Sequence, residues 1–343
     1  MTTGRAVTVG VVGLGYWGPN LARNFAALDG CELRWCCDRE DARRAAWQDA
    51  FPSARFTAEL GDLLADPELD AIVIATDVPS HSSLALRVFQ AGKHCFVEKP
   101  LSQSVDEATQ VASAAKEAGS VLMVGHLLEY HPGVAKLKEI VDSASFGEVR
   151  YVYSNRLNLG QIREDENALW SLGAHDVSVL LHLLEEEPYE ALARGESFVR
   201  DGVEDVVFCY LRFPSGRVAH MHLSWLDPHK ERRFTVVGAR RMATFDDMAL
   251  ERKVTVYDKG FDPDFRNYGE YITRSGDVTS PQISNEEPLR IECRHFVDCV
   301  ANGIAPRTGP ASAIRTVRVL EALQRSLEAG GAWQRLEPAT SPA

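Results

Sequence analysis

The sequence predicts an α/β doubly wound parallel sheet, followed by an α+β domain built on a large, mostly antiparallel sheet. Three observations predict it. Over the first 125 residues apolar, β-branched runs alternate with segments of helical periodicity. The first of those runs ends in a glycine-rich turn, and after Gly125 the alternation gives way to strand-like runs in succession around tight turns. A chain of 343 residues is also too long for one ordinary core. The expected division is 1–125, then 126–337, then a short disordered tail over 338–343.

Ala6 to Val12 is the first strand and runs into Gly13-Leu14-Gly15-Tyr16-Trp17-Gly18, after which Leu21, Ala22, Phe25 and Ala26 recur with helical spacing. Strand, G-x-G-x-x-G and helix in that order form the dinucleotide-binding pattern of a Rossmann domain. Gly13 permits the tight turn, Gly15 lets backbone approach a pyrophosphate, and Gly18 allows close helix packing. The helix N-terminus adds free N–H groups and a partial positive charge. A second strand, Glu32 to Cys37, ends at Asp38, twenty residues after Gly18, where a carboxylate meets the adenosine ribose hydroxyls. Asp38 would repel a 2′-phosphate, so NAD is the expected cofactor, and the neighbouring Arg39 keeps NADP open.

Further helices are expected over 39–50 and 59–64, and a buried strand over Ala71 to Ala75 that ends at Thr76-Asp77. Ser80 reads as the N-cap of a helix reaching Ala91, with Gly92 as its breaker. His94 to Val97 is a central strand that enters Glu98-Lys99-Pro100. Pro100 cannot donate to a ladder and disfavours a helical Lys99, so the lysine is held extended at a strand carboxyl end. Open α/β sheets bind their ligands there, which makes Lys99 the first catalytic candidate. A helix from Ser104 or Asp106 to Ala118 and a strand over Val121 to Val124 complete the series. Thr76, His81, Glu98 and Lys99 therefore share one edge of the sheet, the edge along which the dinucleotide would lie.

The net charge of -12 argues against nucleic acid or an anionic membrane as the main partner. No stretch is long and apolar enough to span a bilayer, and Met1 to Arg5 lacks the features of a secretory signal. Seven cysteines at irregular positions, several in apolar strands, suit buried thiols in a reducing cytoplasm better than a disulfide framework.

In the second half, Gly147 to Asn158 alternates as a strand, and Val206 to Phe213 and Arg217 to Trp225 flank Pro214-Ser215-Gly216 as a hairpin. Phe234 to Val237 and Met242 to Phe245 form another, turning near Gly238. Ile291 to Ala301 and Ala311 to Ala329 are helical. His220 and His222 share a strand face without a third ligand at a convincing spacing, so a polar sheet face outweighs a metal site. Lys230, Arg232 and Arg233 read as a charged strand edge.

Taken together, Gly13 to Gly18, Ala75-Thr76 with His81, Glu98-Lys99-Pro100 and Gly125-His126 resemble the Gfo/Idh/MocA oxidoreductases. The resemblance extends to Ala168–Leu184, where His175 takes the place of the family's active-site histidine. Gly15 to Asn20, Tyr153 to Gly160 and Leu169 to Asp176 are most similar to members acting on nucleotide-linked sugars. The resemblance implies an NAD(H)-dependent oxidation of a secondary alcohol on a sugar ring, or the reverse reduction, at carbon 3 of a nucleotide-linked hexose or hexuronic acid. Lys99 and His175 would be catalytic. Gly13, Gly15, Tyr16, Trp17, Gly18, Asp38, Arg39, Thr76, His81, Glu98, Lys99 and His126 would bind the cofactor. Tyr130, Arg156, Asn158, Arg163, Ser171, Lys99 and His175 would meet the substrate.

One departure bears on mechanism. The family often carries an aspartate four residues before the histidine, and Ser171 stands there, able to orient the imidazole but adding no charge. Asp176 would point about a hundred degrees away on a helix and could not replace it. The implied assembly is a homodimer or homotetramer through an open sheet face. A dehydrogenase of free inositol or aldose is the alternative within the family, and a non-catalytic NAD-binding sensor is the alternative of another class.

Overall fold

The computed structural model describes residues 5–160, 162–163, 166–267 and 270–336, so the tail expected at 338–343 lies outside the described residues. The chain divides into two compact units, Met1–Tyr130 with Glu286–Val317, and His131–Asn285 with Arg318–Ala343.

In the first unit six strands pair in parallel in the order β3-β2-β1-β4-β5-β6. They are β1 (Val7–Val12), β2 (Cys31–Cys37), β3 (Arg55–Thr57), β4 (Ala71–Ile74), β5 (His94–Glu98) and β6 (Leu122–Gly125). The chain order reverses between β1 and β4, which is the switch point where such sheets bind ligands. The helices are α1 (Gly18–Ala26), α2 (Asp41–Gln48), α3 (Leu60–Ala65), α4 (Val78–Gln90) and α5 (Val105–Glu117). β1 and β4 are buried at every residue, as strands covered on both faces must be.

One helix start differs from the sequence reading, and one short strand was absent from it. Helix α4 starts at Val78 with Asp77 in the cap position, not Ser80, because Pro79 sits in the first turn, where a missing N–H costs nothing. The short edge strand β3 has three residues and too little pattern to be read.

Residues 286–317, expected in the second domain, group with the first unit. Leu289, Cys293, Phe296 and Val297 of α8 (Pro288–Asn302) bury against Phe25, Phe96, Met123 and Tyr130. Phe296 meets Phe96 edge-on at 5.6 Å and Phe25 at 6.1 Å between ring centroids. Each such pair adds about 0.5–1.5 kcal/mol beyond the area it buries. At the start of that helix Arg23 of α1 holds Glu287 at 2.6 Å.

The second unit carries nine strands in the order β14-β13-β12-β11-β7-β10-β9-β8-β15. These are β7 (Val149–Leu157), β8 (Glu190–Glu196), β9 (Val206–Arg212), β10 (Val218–Ser224), β11 (Glu231–Gly238), β12 (Met242–Asp246), β13 (Val254–Asn267), β14 (Glu270–Thr279) and β15 (Gln334–Arg335). Among the described residues only β7 with β10 is parallel, so the mostly antiparallel sheet stands as expected. Strands β13 and β14 form an edge hairpin whose alternation, Val254 and Val256, is confined to its start and followed by charged residues, so the sequence reading passed over them. Helix α6 (Pro132–Val141) is capped by His131, whose Nδ1 accepts the Gly133 N–H at 2.9 Å. A π-helical turn at Leu169–Gly173 precedes α7 (Ala174–Leu184), and α9 (Pro310–Glu328) is the last helix among the described residues. No helix among the described residues is long and apolar enough to cross a membrane.

Candidate active site

Strand β1 ends in Gly13 at φ +94°, a conformation that favours glycine, and Gly13 N–H donates to Cys37 O at 2.8 Å. A Cβ on Gly18 would lie 1.8 Å from Gly13 O, so the start of α1 can approach the turn only as glycine. A Cβ on Gly15 would meet nothing nearer than Arg43 at 3.6 Å, which leaves open space beside the backbone for a phosphate. Asp38 Oδ2 accepts the Leu14 N–H at 2.7 Å and Oδ1 accepts the Glu40 N–H at 2.9 Å. The carboxylate thus braces the glycine turn, and each oxygen keeps a further lone pair for a ribose hydroxyl. Tyr16 is 91% exposed and stacks on Trp17, presenting an aromatic face beside that space. Arg39 is exposed next to Asp38. This cradle fits a dinucleotide.

Across the same sheet edge stand the ends of β4, β5 and β6. Thr76 Oγ1 bonds Ser80 Oγ at 2.7 Å at the start of α4. Glu98 Oε2 accepts the Lys99 N–H at 3.2 Å, and a Cβ on Gly125 would sit 3.0 Å from Glu98 Oε1. Burial lifts the Glu98 carboxyl to about 7, against the pull of Lys99 and of a hydrogen bond from Trp17. Lys99 is half-buried, and the peptide to Pro100 is cis. His126 is buried, and neither ring nitrogen has a partner among the described residues. Burial, then the charge of Lys99, depress its pKa to about 3, so the imidazole is neutral and offers one donor and one acceptor.

Two expected contacts take other roles. His81 does not face the cofactor edge: it is 1% exposed, with Nδ1 at 2.9 Å from Pro100 O and Nε2 at 3.1 Å from Thr76 O. Tyr130 lines no pocket, being 2% exposed in the core of the first unit, with its hydroxyl 3.1 Å from Thr308 Oγ1 and Arg307 over its ring.

In the second unit His175 is half-buried in the first turn of α7. Ser171 lies in the π-helical turn, so the α-helical spacing assumed for this pair does not hold, and its N–H donates to Asn167 O. Arg156 is not open to a diphosphate, because its Nε bonds Asp176 Oδ1 at 2.5 Å in the interior. Arg163 is exposed and pairs with Glu166 at 2.8 Å. Asn158 is half-buried beside Gly160. His220 and His222 stack on Tyr153 and Phe208, and no metal-holding group of three or more His, Cys, Asp or Glu occurs among the described residues.

The sequence reading missed two acids in the first unit. Glu292 on α8 is fully buried, and neither carboxyl oxygen has a partner among the described residues. Burial, then the nearby Glu98 and Glu129, push its pKa well up. Glu129, in the 3-10 turn Leu127–Tyr130, rises to about 8 through burial, against Arg307 and Arg315. Spacing carried the signal for Glu292: it falls on the stripe of Leu289, Cys293 and Phe296, where an apolar residue belongs.

Residues 7–126 match the NAD-binding Rossmann-fold model of the Gfo/Idh/MocA oxidoreductases, and residues 134–244 match their C-terminal domain. The chain belongs to the Gfo/Idh/MocA oxidoreductase family. This family member is an NAD-binding oxidoreductase acting on CH–OH groups, as the resemblance implied. It is similar to the UDP-N-acetylglucosamine 3-dehydrogenase of Acidithiobacillus ferrooxidans, 29% identical over 330 residues that span 92% of this chain and 98% of that protein. The solved structure of that enzyme superposes with a TM-score of 0.81 over 94% of this chain and 98% of its own, at 26% identity. The scyllo-inositol 2-dehydrogenase (NAD(+)) of Bacillus subtilis is 24% identical over 316 residues, 88% of each chain. GenD2 from gentamicin A biosynthesis, solved in complex with NAD, has a TM-score of 0.83 and 26% identity over 98% of both chains.

Proposed function

We propose that this Gfo/Idh/MocA oxidoreductase oxidises, or in reverse reduces, carbon 3 of a nucleotide-linked hexose or hexuronic acid. The observation that carries the reading is the end-to-end similarity to a UDP-N-acetylglucosamine 3-dehydrogenase. NAD, when bound, supplies the hydride acceptor. In the proposed site the glycine turn from Gly13 to Gly18 holds the phosphates, Asp38 the adenosine ribose, and Tyr16, Trp17, Thr76, Glu98 and His126 the remainder of the cofactor. Lys99 donates a hydrogen bond to the reacting oxygen, and His175 exchanges the hydroxyl proton as general base or acid. Ser171, Asn158 and the exposed Arg163 are the proposed substrate contacts of the second unit. The cytoplasm is the proposed compartment, in keeping with seven free cysteines. A homodimer is proposed through the outer sheet face that exposes Tyr151 and Phe208.

The test is NADH formation with purified protein on two substrate panels, nucleotide-linked sugars and uronic acids in one, free sugars and inositols in the other. A hydrazine traps any ketone so that an unfavourable equilibrium does not hide turnover. Turnover confined to the first panel is expected. Turnover only in the second would move the assignment to a free inositol or aldose, the reading favoured by the scyllo-inositol 2-dehydrogenase relative. Tight NAD binding with no turnover in either direction would leave a sensor.

A further inference from the structure

The imidazole of His81 lies between two groups that can only accept. Its Nδ1 is 2.9 Å from the carbonyl oxygen of Pro100, and its Nε2 is 3.1 Å from that of Thr76. A neutral ring has one N–H and satisfies one carbonyl, while an imidazolium satisfies both. Burial and Lys99 oppose the charged ring, and Asp77 and the two carbonyls favour it. The balance, led by burial, lowers its pKa, so the ring donates to one carbonyl and packs against the other, and both carbonyls belong to points of catalytic consequence. Thr76 lies in the turn between β4 and α4, and Pro100 directly follows Lys99. The side chain is buried away from solvent, so beyond its electrostatic pull on Lys99 it acts through the backbone it holds.

We propose that His81 is a positioning residue for Lys99, its ring fixing the Pro100 and Thr76 carbonyls and thereby the place of the lysine amine. The proposal rests on the catalytic part given to Lys99 above. A cofactor contact would act on NAD affinity, and a mere core filler would act on stability alone. Positioning acts on turnover and on the environment of the amine.

The experiment compares wild type with His81→Phe, which keeps a ring and loses both nitrogens, and His81→Gln, which restores one N–H donor. NAD affinity is read by tryptophan quenching, kcat on the active substrate panel, and Lys99 by competitive labelling with acetic anhydride across pH. For His81→Phe, kcat should fall by about tenfold or more while the Kd for NAD stays within roughly twofold, since a displacement of about 1 Å is enough for such a loss. The labelling profile of Lys99 should shift, and His81→Gln should recover part of both. Labelling and NAD affinity need no substrate, so they decide the matter even if both panels are silent. A weakened NAD affinity with an unchanged lysine profile would overturn the proposal in favour of a cofactor contact. A lower melting temperature with unchanged kcat and lysine profile would reduce His81 to packing. Should the phenylalanine variant not fold, nitrogen-15 spectra of wild-type histidine serve instead. A ring N–H of His81 protected from exchange is expected, and its absence would overturn the clamp.

Discussion

Arg156 and Asp176 in the second unit answer burial with an ion pair, whereas Glu292 in the first unit answers it with a proton. The pair closes at 2.5 Å between β7 and α7, and both side chains are interior. Glu292 is equally buried and has no partner among the described residues, with the acids Glu98 and Glu129 nearby. The ion pair meets each buried charge with its opposite and needs no proton to do so. A carboxyl neutralised by protonation remains responsive to pH. Titrating groups therefore gather at the β5 end of the first unit, where Lys99 also stands.

The largest effect expected from this difference is on turnover. Replacing Lys99 with alanine should lower kcat by about 10²- to 10⁴-fold, the usual worth of a positioned proton-transfer group, while NAD binding survives. Near-normal turnover would remove Lys99 from the mechanism. In the second unit, His175→Asn should alter the pH profile of kcat/KM. An unchanged rate and profile would leave the lysine as sole proton carrier.

The next effect is on stability and falls on the ion pair. Arg156→Met strands a buried carboxylate and should cost about 3–5 kcal/mol in urea unfolding, while adding Asp176→Leu should restore most of the loss. A single variant within about 1 kcal/mol of wild type would mean that Asp176 finds water or another donor, and the contrast between the units would weaken.

What could be read from the chain follows the same division. The glycine turn, Asp38 and the Glu98-Lys99 strand end were legible because each motif is local, its geometry fixed by residues within a turn or a strand. Arg156 was legible only as a cation, since its partner lies twenty residues on in another element. His81 was visible as a residue on the right edge, but the direction of its ring depends on a carbonyl nineteen residues away. The return of α8 to the first sheet depends on Phe296 finding Phe25 and Phe96, contacts that no local pattern encodes. Glu292 did leave a local trace, an acid on an apolar helical stripe, and its meaning came only with the stripe's partners.

That acid gives an effect that appears only as pH changes, and with it the sharpest test of the contrast. Burial and two neighbouring acids raise the folded-state pKa of Glu292 well above 4.5, so the folded chain holds a proton that the unfolded chain releases. Stability conferred by the protonated carboxyl is complete below the unfolded value and declines as pH rises above it. The decline is roughly 1.4 kcal/mol per pH unit for as long as the folded group stays protonated. Glu292→Gln keeps the shape and removes the titration. Its stability relative to wild type should therefore grow as pH rises above the ordinary carboxyl value in urea unfolding. A flat response from Glu292→Gln would mean that the carboxyl ionises in the folded protein at its ordinary pH. Its neutralisation would then come from a cation or water rather than a proton, and the two units would handle buried charge alike.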